Sequence, residues 1–310
     1  MRVSRIAAVF LLLGGILGCV DELIASPRTK YVGDHDQIEG VQDTLAMPAW
    51  DLDLVTRFSG AQTGFHNWAE GGINSLSLTA GTNGRALLDA ESWRQLYELR
   101  LAFGVIRQSG TEVRKAEDVI RLHTSFSYQG DGFYRTFSPT LALSMRTQFA
   151  PGFNYDRNPL DDGRTPPVKV SDFFAPATLQ QSIGLSYQYE KWFAHRLGVG
   201  AKQTIVAIPR VRSIYGIDSN RWARSQVGLE SRTDVDRDIA KNVHLKSTLG
   251  LFAAFNQPDL PDMTWENLIN MKVNSWLSVN FEFVTFFDRD VSSQLQMREV
   301  LSVGLTMVIL

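Results

Sequence analysis

Cysteine is all but missing from this 310-residue sequence: Cys19 stands alone, which excludes an intrachain disulfide and a cysteine metal cluster. Long apolar runs are missing too. The longest, Ile6 to Leu17, falls short of the ~20 residues a membrane-spanning helix requires. Any membrane crossing would therefore be made by a closed barrel. A basic excess is also absent. Lys and Arg number 31 against 33 Asp and Glu, for a net charge of −2, so no nucleic-acid partner is expected. The remaining composition, 21% charged and 44% hydrophobic with a mean hydropathy of −0.12, suits a soluble domain and a barrel equally.

At the N-terminus, Arg2 and Arg5 precede the apolar run, the pattern of a secretory signal. Residues 1–19 are read as that signal peptide, 20–49 as a polar periplasmic lead-in and 50–310 as the folded body. Cys19 follows Ile16-Leu17-Gly18, which resembles a lipobox. Two readings of it stand, a lipidation site and the discarded end of an ordinary signal. Asp34-His35-Asp36 belongs to the lead-in and is not read as a metal site.

From Trp50 onward the hydrophobic period is two. Tyr97, Leu99, Leu101, Phe103 and Val105 fall on one parity, with Arg94, Glu98, Arg100 and Gly104 on the other. Alternate side chains of a strand point to opposite faces, and no helical face collects these apolar residues. The pattern recurs in about a dozen segments, among them Ile120 to Tyr128, Ile183 to Tyr189, Ile269 to Val273 and Leu301 to Ile309. A charge facing lipid at the bilayer midplane costs ~2–4 kcal/mol per Lys or Arg. The charged parity is therefore turned inward and the apolar parity outward.

A soluble sandwich has the same alternation, but the connections separate the two. Long linkers (61–72, 107–117, 149–177, 209–221, 287–296) interleave with short ones (89–91, 130–132, 190–191, 274–275); 232–237 and 256–262 are moderate. A membrane barrel shows this alternation, with long external loops and short periplasmic turns. The expected fold is an all-β, antiparallel transmembrane barrel of about twelve strands with both termini periplasmic. The chain is expected in the outer membrane of a Gram-negative bacterium, inserted by the barrel assembly machinery, with the lipid bilayer as its partner. The last strand ends on Leu310 rather than an aromatic residue, so a terminal sorting signal is only partly matched.

Several phrases then line up in order: Asn67-Trp68-Ala69-Glu70-Gly71-Gly72, Arg114-Lys115-Ala116-Glu117-Asp118, Arg146-Thr147-Gln148-Phe149, Ser171-Asp172-Phe173-Phe174-Ala175-Pro176-Ala177 and Phe287-Asp288-Arg289-Asp290. With these the chain resembles the Bacteroidetes-type domain of unknown function 3078 over roughly residues 50 to 310. The resemblance implies an outer-membrane-type barrel and no established activity.

Candidate site residues fall into three groups. Trp68 is read as an interface anchor. Arg114, Lys115, Glu117, Asp118, Asp288 and Asp290 are expected to form a rim network. Glu98, Arg100, Arg121, Arg146 and Gln148 are the lumen and constriction candidates. The inward row counts ten cations (Arg85, Arg94, Arg100, Arg121, Arg146, Arg196, Lys202, Arg224, Lys246, Lys272) against three anions (Glu98, Glu230, Glu282). A narrow anion-favouring channel for small polar solutes is thus the leading expectation. A non-conducting structural or surface-binding barrel is the alternative, with Glu117, Asp118, Asp161 or Asp162 folding in to neutralise the cations. No cofactor, metal or catalytic residue is expected, since none of His35, His66, His123, His195 and His244 stands in a phospholipase-type phrase.

Overall fold

A computed structural model of the chain describes residues 50–65 and 73–308. Twelve antiparallel strands close into a barrel. In chain order they are β1 (Trp50–Thr63), β2 (Ser75–Asp89), β3 (Trp93–Gln108), β4 (Arg114–Tyr128) and β5 (Phe137–Thr147). A small hairpin, β6 (Gly152–Asn154) and β7 (Val168–Ser171), interrupts the series. The ring resumes with β8 (Ala177–Tyr189), β9 (Phe193–Ile205), β10 (Ala223–Ala240), β11 (Val243–Ala254), β12 (Asp262–Lys272), β13 (Leu277–Phe287) and β14 (Gln296–Val308). Each strand pairs with its neighbour in sequence, apart from the excluded hairpin, and β1 closes on β14.

The alternation explains the wall. Leu301 is 70% exposed, Ile183 67% and Met297 66%, all on the outward parity, while the inward-facing Thr140, Ser278, Lys202 and Glu230 are buried. This inversion of a soluble core, with an apolar belt outside and polar groups within, is that of a membrane-spanning barrel. Among the described residues no helix is long and apolar enough to cross a membrane.

The two ends differ. At one, the connections are short: 90–92, 190–192, 241–242 and 273–276. There, 129–136 holds a single helical turn, α1 (Phe133–Thr136), where three loop residues were expected. Phe133 and Tyr134 project from it, exposed, into a girdle that includes the pairs Trp93–Tyr128 (ring centroids 5.0 Å apart), Phe137–Tyr187 (5.8 Å) and Tyr189–Trp192 (5.8 Å). Amphipathic rings of this kind settle at a membrane–water boundary.

At the other end the loops fold into a cap. The segment between β5 and β8 carries the β6–β7 hairpin, and the one between β9 and β10 carries a 3-10 turn, Pro209–Tyr215. Ala175, Val206, Val211 and Ile217 are buried together, with Ile208, Ile214 and Tyr215 packed against them. Apolar side chains gathered away from water hold two loops as one unit.

Two expected boundaries are corrected. The long connection over 107–117 shrinks to 109–113, because both strands run on to the rim. The connection over 232–237 is strand throughout: β10 continues to Ala240. Its charge density reads as a loop, yet Arg232 and Asp234 alternate with Thr233 and Val235 and form an ion pair of 2.8 Å inside the barrel.

Candidate functional site

Strand register builds the centre of the lumen. Arg100 on β3 pairs directly with Arg121 on β4, and Arg121 with Arg146 on β5. Residues directly opposite in an antiparallel ladder share a face, so three guanidiniums form one inward row. The same row continues through Thr178 and Thr204 on the next two strands.

Carboxylates from the far wall meet this row. Arg121 makes a bidentate pair with Glu266 of β12, a strand six places away in the ring of twelve, so the pair crosses the full width of the barrel. Glu98 of β3 and Lys246 of β11 are likewise opposite, at 2.7 Å, with Arg232 of β10 3.6 Å from the same carboxylate. Arg100 reaches Glu282 (2.6 Å) and Glu117 (3.2 Å), and Arg298 reaches the same two acids at 2.5 and 3.5 Å. Bidentate and networked pairs of this kind have fixed geometry as well as charge complementarity.

Arg146 differs from its neighbours in the row. Among the described residues it makes no hydrogen bond or ion pair, and its side chain is exposed to the lumen. Arg121, Glu266, Arg298 and Arg100 are the charges that act on it most strongly. The group Arg100, Arg121, Arg146 and Arg298 faces Glu117, Glu266 and Glu282, four cations to three anions, and Arg57 of β1, close enough to act on Arg100, adds a further cation without an ion pair among the described residues.

The second part of the site is the mouth at the cap end. Lys202 of β9 binds Asp262 of β12 (2.6 Å) and Asp288 of the β13–β14 loop (2.7 Å), with both Lys202 and Asp288 buried. Asp290 in that loop pairs with Arg224 of β10 (2.8 Å) and accepts from the Gln226 side chain (3.1 Å). Asp288 also accepts from the Asp290 backbone N–H at 3.0 Å, so the turn is braced by the carboxylate that anchors it. The loop that leaves β13 thus reaches across the mouth to the wall formed by β9 and β10. Gly216 fits beneath it at φ +64°, where a Cβ would come within 2.9 Å of the Asp290 carbonyl oxygen.

A parallel clamp holds the other long loop. The Lys115 ammonium donates to Asp118 (2.9 Å), Gln148 Oε1 (3.2 Å) and the Ala150 carbonyl (2.9 Å). Asp118 accepts from the backbone N–H groups of Phe149 and Ala150, and Gln148 donates to the carbonyls of Asp172 and Ala175. Arg114 lies over the Tyr155 ring, 4.0 Å from its centroid. Within the cap, the Tyr215 hydroxyl donates to the Val170 carbonyl (3.0 Å), and burial pushes its pKa up to about 12. Asp162 accepts from Asn158 and pairs with Arg164 within its own loop, and the Asn158 amide draws its pKa below the usual carboxylate range.

Several sequence assignments move. Gln148 clamps a loop instead of lining the constriction. Glu117 belongs to the lumen rather than the rim, because it continues the inward parity of Arg121 and Val119, while a bulge just beyond it shifts the register of Lys115 and Arg114 against β3. Lys115, Asp118, Asp288 and Asp290 stand at the mouth. Wall acids meet most of the lumen cations, and the ratio of ten cations to three anions gives way to a more even one once Glu117, Asp234, Asp262 and Glu266 are counted inward together with Arg232 and Arg298. Glu266 and Arg298 escaped notice for a shared reason. Asn267 and Glu299 put polar groups on the outward parity beside them, which breaks the alternation where the strands begin. Extending the parity back through Leu268 and Val300 would have found both. Cys19, His35, His66, Trp68, the signal segment and the lead-in lie outside the described residues.

Residues 61–153 match the model of DUF3078, a family described as a protein of unknown function. No curated protein matches the sequence. Among solved structures, the chain is similar to the translocator domain of the autotransporter NalP from Neisseria meningitidis, at 9% identity and a TM-score of 0.35, over 98% of this chain and 97% of that one. It is also similar to the COG4313 outer membrane channel from Pseudomonas putida F1, at 13% identity and a TM-score of 0.35, over 88% and 99% of the two chains.

Proposed function

We propose that the chain is an outer-membrane barrel with a narrow, charge-bridged lumen that favours small anionic solutes, and that the capped mouth faces outward. One observation carries the reading: the in-register row Arg100–Arg121–Arg146, whose last member has no carboxylate of its own. A ring or row of Arg side chains in a confined, low-dielectric passage concentrates anions and repels cations. The outward apolar belt and the aromatic girdle support the membrane assignment.

A second reading is favoured by the two bridges across the full width, Arg121–Glu266 and Glu98–Lys246. These suit a barrel that does not conduct and presents its cap to a partner. Neither reading includes catalysis. His123 Nδ1 lies 2.7 Å from Ser144 Oγ, but Glu98, beside His123 in register, is engaged by Lys246 and Arg232. The pair is a wall contact rather than an activated nucleophile.

Planar-bilayer recording of the purified barrel under a KCl gradient tests the proposal. Small conductance steps with a reversal potential on the chloride side are expected. A reversal potential on the potassium side overturns it, and silence in the bilayer selects the non-conducting reading. Orientation is checked in a Cys19→Ser background. Asp162→Cys should react with an impermeant thiol reagent on intact cells and Asp131→Cys should not; the opposite result inverts the barrel.

A further inference from the structure

The arginine row holds more than a bulk charge preference. Arg100, Arg121 and Arg298 each have a carboxylate within ion-pairing distance, at Glu117, Glu282 or Glu266. Arg146 stands in the same row with its guanidinium open to the lumen and unpaired among the described residues. Arg146 adds to the like charge of the row without a carboxylate of its own, whereas wall acids have been supplied to every other member of this group.

The neighbours of Arg146 in the row carry no anionic group. Arg121 precedes it, and the hydroxyl-bearing Thr178 and Thr204 follow on β8 and β9. Among the described residues no wall group accepts from Arg146, and the Glu266 carboxylate nearby is held by both Nη groups of Arg121. The arrangement lacks one acceptor, namely an oxyanion that takes two N–H groups from a planar guanidinium and one O–H from a threonine.

We propose that Arg146, with Thr178 beside it, forms a binding subsite for a small oxyanion, a carboxylate or phosphate group carried by a solute in the lumen. Within the row Arg100–Arg121–Arg146, the ligand gives the last guanidinium the acid that the other two receive from the wall. The subsite rests on the anion-favouring reading of the lumen, since a solute must reach the row, but it specifies a stoichiometric site where that reading needs only a field.

The test is calorimetry on the folded, full-length barrel in detergent, with inorganic phosphate as probe at low ionic strength. The wild type is expected to bind one phosphate, with acetate competing. Arg146→Gln is expected to weaken binding roughly tenfold or more, the scale of a lost charge-assisted pair. Arg146→Lys keeps the charge and loses the fork, so an intermediate affinity is expected. Thr178→Val should weaken binding less than either. Heat-modifiable migration on a gel establishes that each variant has folded, and if Arg146→Gln has not, the Arg146→Lys comparison decides. Equal affinity in wild type and Arg146→Gln overturns the subsite, and so does a wild type that binds no phosphate. Phosphate binding by a barrel silent in bilayers keeps the subsite and removes the channel. Anion-selective conductance without phosphate binding does the reverse.

Discussion

The lumen centre and the mouth are both held by ion pairs, yet water treats them differently. In the centre, Lys246 keeps 42% of its side-chain surface exposed and Arg298 36%, and their partners lie on other strands of a wet interior. At the mouth, Lys202 and Asp288 retain 8% and 5%, and they adjoin loops folded on a dry apolar cluster. Partly solvated pairs are individually weak and are screened by salt. Buried pairs depend on each other, because removing one partner strands the other charge. The centre is therefore held by pairs that water and salt can loosen and the cap by pairs that they reach poorly, a difference in hydration between the same residue types.

The sharpest way to break this contrast is Asp288→Ala. It strips the buried Lys202 of one of its two acids and unbraces the turn at Asp290, so the local loss is expected near the ~3–5 kcal/mol typical of a broken buried pair. Limited proteolysis should then cut the β13–β14 loop and the cap while the barrel keeps its heat-modifiable migration. Unchanged protease resistance would mean that the loop is not held by this clamp.

A smaller effect is expected in the centre. Glu266→Gln removes the bridge across the lumen but leaves Arg121 facing water, and a partly solvated pair is worth ~1 kcal/mol. The denaturation midpoint should move little, whereas anion conductance should rise because a carboxylate is gone and a guanidinium is freed. A stability loss as large as that of Asp288→Ala would show the two regions to be alike.

The same contrast explains how far the sequence was legible. Period-two alternation in segments such as Tyr97 to Val105 is enough to give the strands, their faces and their number, because a lipid-exposed wall tolerates few exceptions. It fails where the wall stops being uniform. Arg232 to Arg237 looks like a loop because Arg232 and Asp234 pair inside the barrel while Arg237 lies over the Trp192 ring at the end of the strand. Glu266 and Arg298 hide behind the outward Asn267 and Glu299. Bridges between opposite strands have no sequence signature at all, as the separation of 145 positions from Arg121 to Glu266 illustrates. At the mouth, the Phe287-Asp288-Arg289-Asp290 phrase marks the right residues, but only the fold gives Lys202 and Arg224 as their partners.

The most local effect is confined to the cap's interior. Tyr215→Phe deletes one hydrogen bond to the Val170 carbonyl, an expected loss of ~1 kcal/mol in cap stability. Because burial raises the phenol to about 12, folding of the cap favours its protonated form. That contribution is complete below the ordinary tyrosine value of ~10 and fades as pH climbs from there to about 12. Spectrophotometric titration should show one late-ionising tyrosine that disappears in Tyr215→Phe; identical curves would contradict the buried assignment.

The claim on which the rest depends is that the Arg100–Arg121–Arg146 row sets the sign of the lumen. It is tested most directly by the reversal potentials of wild type and Arg146→Glu, recorded in planar bilayers under the same KCl gradient. The row predicts chloride preference in the wild type and a shift toward potassium in the variant, at similar unitary conductance. Equal reversal potentials in the two proteins would contradict it.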